Sequence, residues 1–220
     1  MSYRKRPRRY NNRGRHPSRG RSNDYHRDRA SPPRKYEDWV WQLEYLEHGY
    51  MDDPRPKHLR EPIVQALGEK YFSLMEIILD SKTANNFKFE PGIRTFIGKG
   101  EENKVGHRFK RTSFEKLTID AKAEIPKVLQ KIIEQDPKRF IDFYNNSKPI
   151  TNRMHQLELL PGIGKKTMWQ IIDARKRKLF ESFEDIQERA GITKPKEIIV
   201  KRIIKELEDR TEKHLIFVRN

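Results

Sequence analysis

The sequence predicts an α+β fold in which a small antiparallel β-barrel is followed by helices. Short apolar segments without crossover helices fill residues 36–112, and beyond them apolar residues recur with the period of a helix. Residues 1–35 show neither pattern and are strongly basic. The expected segments are an arm at 1–35, a barrel at 36–112, a helical connector at 113–150, paired helical hairpins at 151–210 and a strand at 211–220.

Four short strands are expected in the barrel. The segment YEDWVWQLEYLE at 36–47 alternates in polarity and predicts the first strand. IVQALGEKYFSLMEIIL at 63–79 predicts two strands that turn at Gly68-Glu69. A fourth strand is expected at 93–97. The large aromatic rings of this region are expected to be core residues and not stacking platforms: Trp39, Trp41, Phe72 and Phe96.

Helical spacing predicts the connector and the elements after it. One helix face carries Ile125, Val128, Leu129, Ile132 and Ile133, with Pro126 expected in the first turn of that helix. Asp136 and Pro137 predict the start of a second helix.

Capping residues predict the later helix starts. Thr151 is expected to cap a helix that runs through Leu160, and Ser182 and Asp185 form a capping-box pattern. A last helix is expected at 191–207, and HLIFVR at 214–219 predicts a terminal strand.

The arm carries most of the charge of the protein. Residues 1–35 hold 13 Lys and Arg against two acids, which gives +11 of the total formal charge of +16. This composition predicts disorder in isolation. The sequence offers no secretory signal, no apolar run of membrane-spanning length and no cysteine. We therefore expect a cytoplasmic protein without a membrane partner.

A double-glycine turn in LELLPGIGKKTMWQII, residues 157–172, is the strongest functional signal. Glycines let successive backbone N–H groups point outward, and the following helix adds its own unpaired N–H groups. A phosphate group fits such a concavity, with lysines beside it. The residues expected to contact phosphate here are Gly162, Ile163, Gly164, Lys165, Lys166 and Thr167. Nothing in this geometry reads a base edge, so binding is expected to tolerate any sequence.

LLPGIGKKT resembles the helix-hairpin-helix motif of nucleic-acid-binding proteins. RAGITKPKEIIVKRII, within residues 181–207, resembles a second copy in which Thr193 stands where the second glycine would be. The resemblance implies a paired unit, with phosphate binding expected mainly at the first turn. Met168 departs from the motif, which has a small residue at that position.

A wider resemblance covers most of residues 36–220. REPIVQALGEKYFSLMEII, IGKGEENKV, PITNRMHQLELLPGIGKKTMW and FESFEDI are similar to an archaeal family of unknown function, domain-of-unknown-function family 655. The resemblance implies an oligonucleotide-binding-type barrel (OB- or SH3-like) followed by paired helix-hairpin-helix motifs, and it implies nucleic-acid binding.

Basic residues elsewhere extend the expected contact surface. The barrel face contributes Lys99, Lys104, Arg108, Lys110 and Arg111, with Arg55, Lys57 and Arg60 in the preceding loop. Arg153 precedes the glycine turn. The arm contributes Arg4, Arg6, Arg8, Arg9, Arg13 and Arg15, interleaved with tyrosines that suit unpaired bases.

Enzymatic activity is not expected. Some DNA glycosylases combine the hairpin with an aspartate about twenty residues later, but Asp185 is explained by its capping box. The seven histidines lack metal-ligand spacing, and neither a Walker-type nucleotide-binding motif nor a dinucleotide fingerprint occurs, so no metal or cofactor is expected.

The expected function is non-catalytic nucleic-acid binding. RNA is favoured by the arm, with ribosomal or precursor RNA as the partner and possibly ribosomal proteins beside it. Two alternatives stay open: a DNA-binding protein of repair or chromosome maintenance, and a protein-docking scaffold in a ribonucleoprotein.

Overall fold

An antiparallel sheet of five strands lies at the centre of the fold in the computed structural model, which describes residues 36–100, 103, 105, 106, 108–209 and 211–219. The strands are β1 (Trp39–Leu46), β2 (Ile63–Gly68), β3 (Leu74–Ile78), β4 (Arg94–Phe96) and β5 (Phe109–Arg111). Their spatial order is β4-β1-β2-β3-β5. The predicted strands at 36–47, 63–79 and 93–97 therefore match β1 to β4, whereas β5 was not predicted.

The sheet is open, so the prediction of a closed β-barrel is wrong, while the α+β class is confirmed. β4 and β5 form opposite edges, and no ladder joins them within the described part of the chain. Each is three residues long, which is short for the tilted, staggered pairing that closes a barrel. The loop between them is held by Asn103 instead, whose amide donates to the carbonyls of Ile97, Gly98 and Gly106.

Six α-helices occur in the described chain: α1 (Ser81–Asn86), α2 (Ile119–Gln135), α3 (Pro137–Asn146), α4 (Lys165–Arg177), α5 (Phe183–Ala190) and α6 (Pro195–Glu208). The predicted stripe of α2 is buried throughout. Asp136 and Ser182 cap α3 and α5 as expected. Pro126 lies inside α2 and not in its first turn, because α2 begins earlier, at Ile119, with Thr118 as its cap.

The predicted helix from Thr151 through Leu160 is absent. β6 (Pro149–Thr151) and β7 (Met154–His155) pair as a small hairpin, and one 3-10 turn follows at Gln156–Leu159. The Thr151 hydroxyl accepts from the N–H groups of Arg153 and Met154. It therefore stabilises the hairpin turn instead of capping a helix.

One large apolar core joins the sheet to the helices. Trp41 and Leu67 of the sheet belong to the same buried cluster as Leu129 of α2, Ile171 of α4 and Ile203 of α6. A smaller cluster on the opposite face of the sheet contains Val40, Val64, Ala66, Ile77, Leu79, Ile97 and Val105. Helices α2 to α6 thus cover one face of the sheet and are fixed relative to it by apolar packing, whereas Ala84 of α1 packs against the smaller cluster.

The C-terminal segment is not the strand that the sequence predicts. The N–H groups of Ile216, Phe217 and Val218 donate to the buried carboxylate of Glu206, all at 2.9 Å. These donors are therefore satisfied by one side chain of α6, and no ladder forms.

The two ends of the described chain meet at the β2–β3 connection. The Glu37 carboxylate accepts from the N–H groups of Lys70, Tyr71 and Ser73, and the N–H of Arg219 donates to the Tyr71 carbonyl at 3.1 Å. A Cβ on Gly68 would lie 2.2 Å from the Glu37 carboxyl carbon, so a larger residue at the end of β2 would displace this carboxylate from the N–H groups that it accepts from.

Candidate nucleic-acid interface

The double-glycine turn leads directly into α4. Gly162 has φ +83°, in the left-handed region that favours glycine, and Gly164 is extended and forms the N-cap of α4. Between them Ile163 is buried, and its N–H donates to the Leu160 carbonyl at 3.1 Å. The buried isoleucine fixes the turn while both glycines stay exposed.

The turn is open to solvent. Apart from the two chain neighbours of each glycine, no described residue has an atom within 4 Å of the position that a Cβ would take on Gly162 or Gly164. Gly164 supplies no side-chain cap for α4, so the N–H groups of its first turn lack the partner that a capping residue would provide. The N–H groups at the start of α4 and the positive end of the helix dipole therefore face a space that the described residues leave open, which favours an anion there.

Three buried side chains and one arginine hold α4 in place. Met168, Ile171 and Ile172 pack in the large core. The guanidinium of Arg175 donates to the Tyr144 carbonyl at 2.7 Å, and to the Ser147 hydroxyl and carbonyl at 2.8 Å. These carbonyls lie at the end of α3, so the orientation of α4 is set by polar contacts as well as by packing. Met168, which departs from the motif, is accommodated as a core residue.

Lys165 and Lys166 are exposed, and neither forms an ion pair with another described residue. Thr167 is half-buried. Arg153 is exposed in the turn between β6 and β7. The predicted contact residues of the first turn are thus accessible, and its two lysines are available for a ligand of opposite charge.

The second predicted turn, at Gly191, shares part of this geometry. Gly191 has φ +66°, and Ile192 after it is buried. However, Lys194 adopts the left-handed conformation as the N-cap, and Pro195, which has no N–H, begins α6. The Lys194 ammonium also pairs with Glu197 at 2.8 Å. This turn therefore offers fewer free donors than the first.

The basic residues near the sheet are largely neutralised by acidic partners. Arg108 pairs with Glu61, and Lys110 lies 3.9 Å from the Glu76 carboxylate. Arg55 pairs with Asp53 at 2.7 Å and lowers the pKa of Asp53 to about 2. Arg60 donates to the carbonyls of Arg55 and Tyr50.

The other predicted residues near the sheet are scattered. Lys99 and Arg111 are exposed, and Lys57 begins a 3-10 turn. Lys104 lies outside the described residues, as do the arm residues Arg4, Arg6, Arg8, Arg9, Arg13 and Arg15. The predicted sheet-side patch is therefore weaker than the first glycine turn.

Sequence reasoning missed Trp169, which lies on α4 five residues after Gly164. The residue is 54% exposed. The signal was present in the spacing: Met168, Ile171 and Ile172 form the buried stripe at i, i+3 and i+4, and Trp169 falls outside it. Trp41 and Phe72 are buried as predicted, whereas Trp39 and Phe96 are half-buried, with ring centroids 4.9 Å apart and ring planes tilted by 60°.

Asp185, the residue weighed for catalysis, and His155, which precedes the glycine turn, both have structural partners. The Asp185 carboxylate accepts from the N–H of Glu181 and pairs with Arg189 at 2.8 Å. His155 is buried, and its Nδ1 accepts from the N–H of Leu157 at 3.1 Å. Burial and the nearby Arg175 guanidinium lower the pKa of His155. Within the described ranges, no group of three or more potential ligands is arranged to hold a metal ion.

A cavity of about 550 Å³ lies where β1 meets α2, α3 and the C-terminal segment. Its charged lining is mixed in sign, with Asp38, Glu69, Asp136, Lys70, Arg139 and Arg219. The Arg139 guanidinium donates to the carbonyls of Glu69 and Lys70 at 3.0 and 2.7 Å. This arginine is therefore engaged in holding the β2–β3 connection.

A protein-family model described as "Protein of unknown function (DUF655)" matches residues 36–219. The chain belongs to this family. A family relative, "Uncharacterized protein MJ0038" of Methanocaldococcus jannaschii, is 44% identical over 192 residues, which are 87% of this chain and 84% of the relative. The crystal structure of Af1531 from Archaeoglobus fulgidus, also of family DUF655, is similar with a TM-score of 0.75 and 45% identity. The match covers 83% of this chain and 100% of the Af1531 chain.

Both relatives come from archaea, which agrees with the resemblance noted from the sequence. No helix in the described part of the chain has the length and apolar character needed to cross a membrane.

Proposed function

We propose that this protein is a non-catalytic nucleic-acid-binding protein that grips the sugar-phosphate backbone at the Gly162–Lys166 turn. The observation that carries the proposal is the space that the described residues leave open at the start of α4, beside N–H groups that lack a side-chain cap and two lysines that form no ion pair with another described residue. A phosphate is the anion that suits such a site, since helix N-termini and lysines both favour its charge. The contacts involve no base edge, so the binding tolerates any sequence.

The proposal treats residues 151–210 as a paired helix-hairpin-helix unit. Support comes from the two turns, each of which has a glycine at positive φ followed by a buried isoleucine. The first α-helix of the first copy is reduced to the 3-10 turn Gln156–Leu159. The unit thus presents one competent turn, with the second copy serving to pack α5 against α6.

RNA is the preferred partner, with ribosomal or precursor RNA as the leading candidate. The support is compositional: the arm at 1–35 combines 13 Lys and Arg with three tyrosines, and such segments bind RNA phosphates and unpaired bases. The arm supplies most of the salt-dependent affinity, and the turn supplies a fixed phosphate contact.

The proposal is tested by a charge reversal, Lys165→Glu together with Lys166→Glu, in the full chain. We expect at least about tenfold weaker RNA binding, and a slope of log affinity against log salt that is shallower by about 1 to 2. The fold should be retained, because acidic residues are favourable in the first turn of a helix.

The matched control is Lys176→Glu together with Lys178→Glu. These exposed lysines are near the other end of α4 and pair with Asp173 and Glu181, so the control changes the net charge equally. If both double variants weaken binding by the same factor, only overall charge matters and the turn is not the site.

DNA binding is the second candidate function, because a turn that binds phosphate groups can bind the sugar-phosphate backbone of DNA as well as that of RNA. Competition of structured RNA and duplex DNA against one labelled RNA separates the two. Equal or better competition by duplex DNA would favour the role in repair or chromosome maintenance.

A further inference from the structure

We propose that Trp169 is a stacking platform for an unpaired base, so that the strand held at the glycine turn is single-stranded at that point. This inference rests on the proposed function and narrows its substrate class to unpaired segments of RNA.

The exposure of Trp169 has no structural explanation in the fold. Trp41 is only 7% exposed, and its indole N–H donates to the Glu69 carboxylate at 3.0 Å. Trp39 is half-buried, with the Arg94 guanidinium 3.7 Å from its ring centroid. Trp169 is 54% exposed, and no hydrogen bond, ring contact or cation–π contact joins it to the described residues. A large indole without a partner in the fold is available for an external one.

The position of Trp169 on α4 places it next to the turn lysines. Lys165 and Lys166 precede it by four and three residues, and residues at these spacings are neighbours on a helix surface, about 5–6 Å apart between Cβ atoms. Helical side chains lean toward the N-terminus of their helix. The indole therefore leans toward the phosphate site, as stacking on a base of the same bound strand requires.

The surroundings of Trp169 favour a nucleotide over an apolar protein surface. Its helical neighbours on the exposed face are Lys165, Lys166, Gln170 and Asp173, so α4 surrounds the indole with polar side chains and adds nothing to an apolar patch of the kind that marks protein interfaces. Unpaired lysines around an isolated aromatic ring match a strand that carries both phosphates and π-faces.

Stacking on Trp169 requires an unpaired base. In a duplex the faces of each base are covered by its neighbours, whereas in loops, bulges and single strands they are accessible to aromatic side chains. The glycine turn and Trp169 thus have different requirements. The turn accepts a phosphate of a single strand or of a duplex, whereas the indole accepts only an unpaired base.

The test compares a short oligouridylate with an RNA duplex of the same length, each titrated against the full chain and against Trp169→Ala. We expect the alanine variant to bind the single strand about 10-fold to 100-fold more weakly and to bind the duplex with nearly unchanged affinity. Trp169→Phe, which keeps a smaller ring, should be intermediate. The control is Ile119→Ala, which removes another exposed apolar side chain (84% exposed) at the start of α2, a different helix from that of Trp169.

Intrinsic fluorescence gives an independent readout, because Trp169 is the most exposed of the three tryptophans. Oligouridylate should quench part of the emission of the wild-type protein, and this quenching should disappear in Trp169→Phe.

The outcomes distinguish this inference from the proposed function. Equal losses for strand and duplex, or no loss for either, would overturn the stacking role of Trp169. If the Lys165→Glu, Lys166→Glu variant still binds both the single strand and the duplex more weakly, phosphate binding at the turn is supported even without the stacking role of Trp169. If that reversal also has no effect, the proposed function itself fails, and an exposed Trp169 then indicates a protein contact.

Discussion

Arg202 and Glu206 form a buried ion pair one turn apart on α6, with 2.7 Å between Nε and Oε1. Both side chains are almost completely excluded from solvent. Arg202 also donates to the carbonyls of Leu159 and His214, and Glu206 accepts from three N–H groups of the C-terminal segment. The pair therefore connects the 3-10 turn before the glycines to the end of the chain, through charge-assisted hydrogen bonds that stabilise both segments.

Glu206→Gln should strongly destabilise the protein. The variant keeps the side-chain shape but leaves the Arg202 guanidinium buried with only the more distant Glu212, at 3.4 Å. Removing one partner of a buried pair costs about 3 kcal/mol or more, so the free energy of unfolding measured in urea should fall by that amount. Glu208→Gln, at an exposed position of the same helix, should change it by less than about 0.5 kcal/mol. Similar stabilities for the two variants would contradict this role of Glu206.

The two turn glycines should respond differently to alanine. Gly162→Ala places a side chain at φ +83° and should lower the free energy of unfolding by about 1 kcal/mol or more. Gly164→Ala has an ordinary backbone conformation and open space around the new methyl group, so its loss should be only a few tenths of a kcal/mol. Urea denaturation of both variants measures the difference. A loss at Gly164 as large as that at Gly162 would show that the turn has another geometry.

Gly164→Asp should raise stability and lower nucleic-acid affinity together. An aspartate at this N-cap can accept from the N–H groups of the first turn of α4, which is favourable by a few tenths of a kcal/mol or more. The same contact occupies the donors that the phosphate would use and adds a repelling charge. The melting temperature should therefore rise while RNA affinity falls, and wild-type affinity in a stabilised Gly164→Asp protein would argue against the turn as the anion site.

His155 should make the protein less stable in mild acid. Its pKa is lowered in the folded state, chiefly by burial, so the unfolded chain binds a proton more readily. The contribution of the neutral imidazole is present above the unfolded pKa of about 6.5 and is lost as the pH falls through the folded value. His155→Asn retains an acceptor for the Leu157 N–H but does not titrate. The free energy of unfolding of this variant, measured between neutral pH and pH 5, should decline less than that of the wild type. Parallel curves would rule out His155 as the source.

The sequence predicted those elements whose signals are local. The stripe of α2 and the caps Asp136 and Ser182 follow from spacing and hydrogen bonding within a few residues, and the structure has them where expected. Barrel closure failed as a prediction because it depends on the pairing of β4 with β5, which are separated by a loop that Asn103 stabilises in another way. The prediction that Thr151 caps a helix was wrong because a hydroxyl that can cap a helix can equally stabilise a hairpin turn.

The candidate site was predicted in part, because some of its signals are also local in sequence. The glycines and lysines at 162–166 are contiguous in sequence, so their grouping needed no tertiary information. The neutralisation of Arg108 by Glu61 and of Lys110 by Glu76 could not be foreseen, since those partners come from distant segments. Similarly, the prediction of a terminal strand was wrong. HLIFVR has the apolar, β-branched and aromatic residues of a strand, but the N–H groups of Ile216, Phe217 and Val218 donate to Glu206, which belongs to another element.

The meeting of Glu37 and Arg219 at the β2–β3 connection has a practical consequence for chain topology. Because the first and last described segments contact the same turn, a short glycine-rich linker should be able to join them in a variant that lacks residues 1–35, and new termini can then be opened elsewhere. A circularly permuted protein with its break in the exposed loop at residues 51–60 should thus fold with the glycine turn intact.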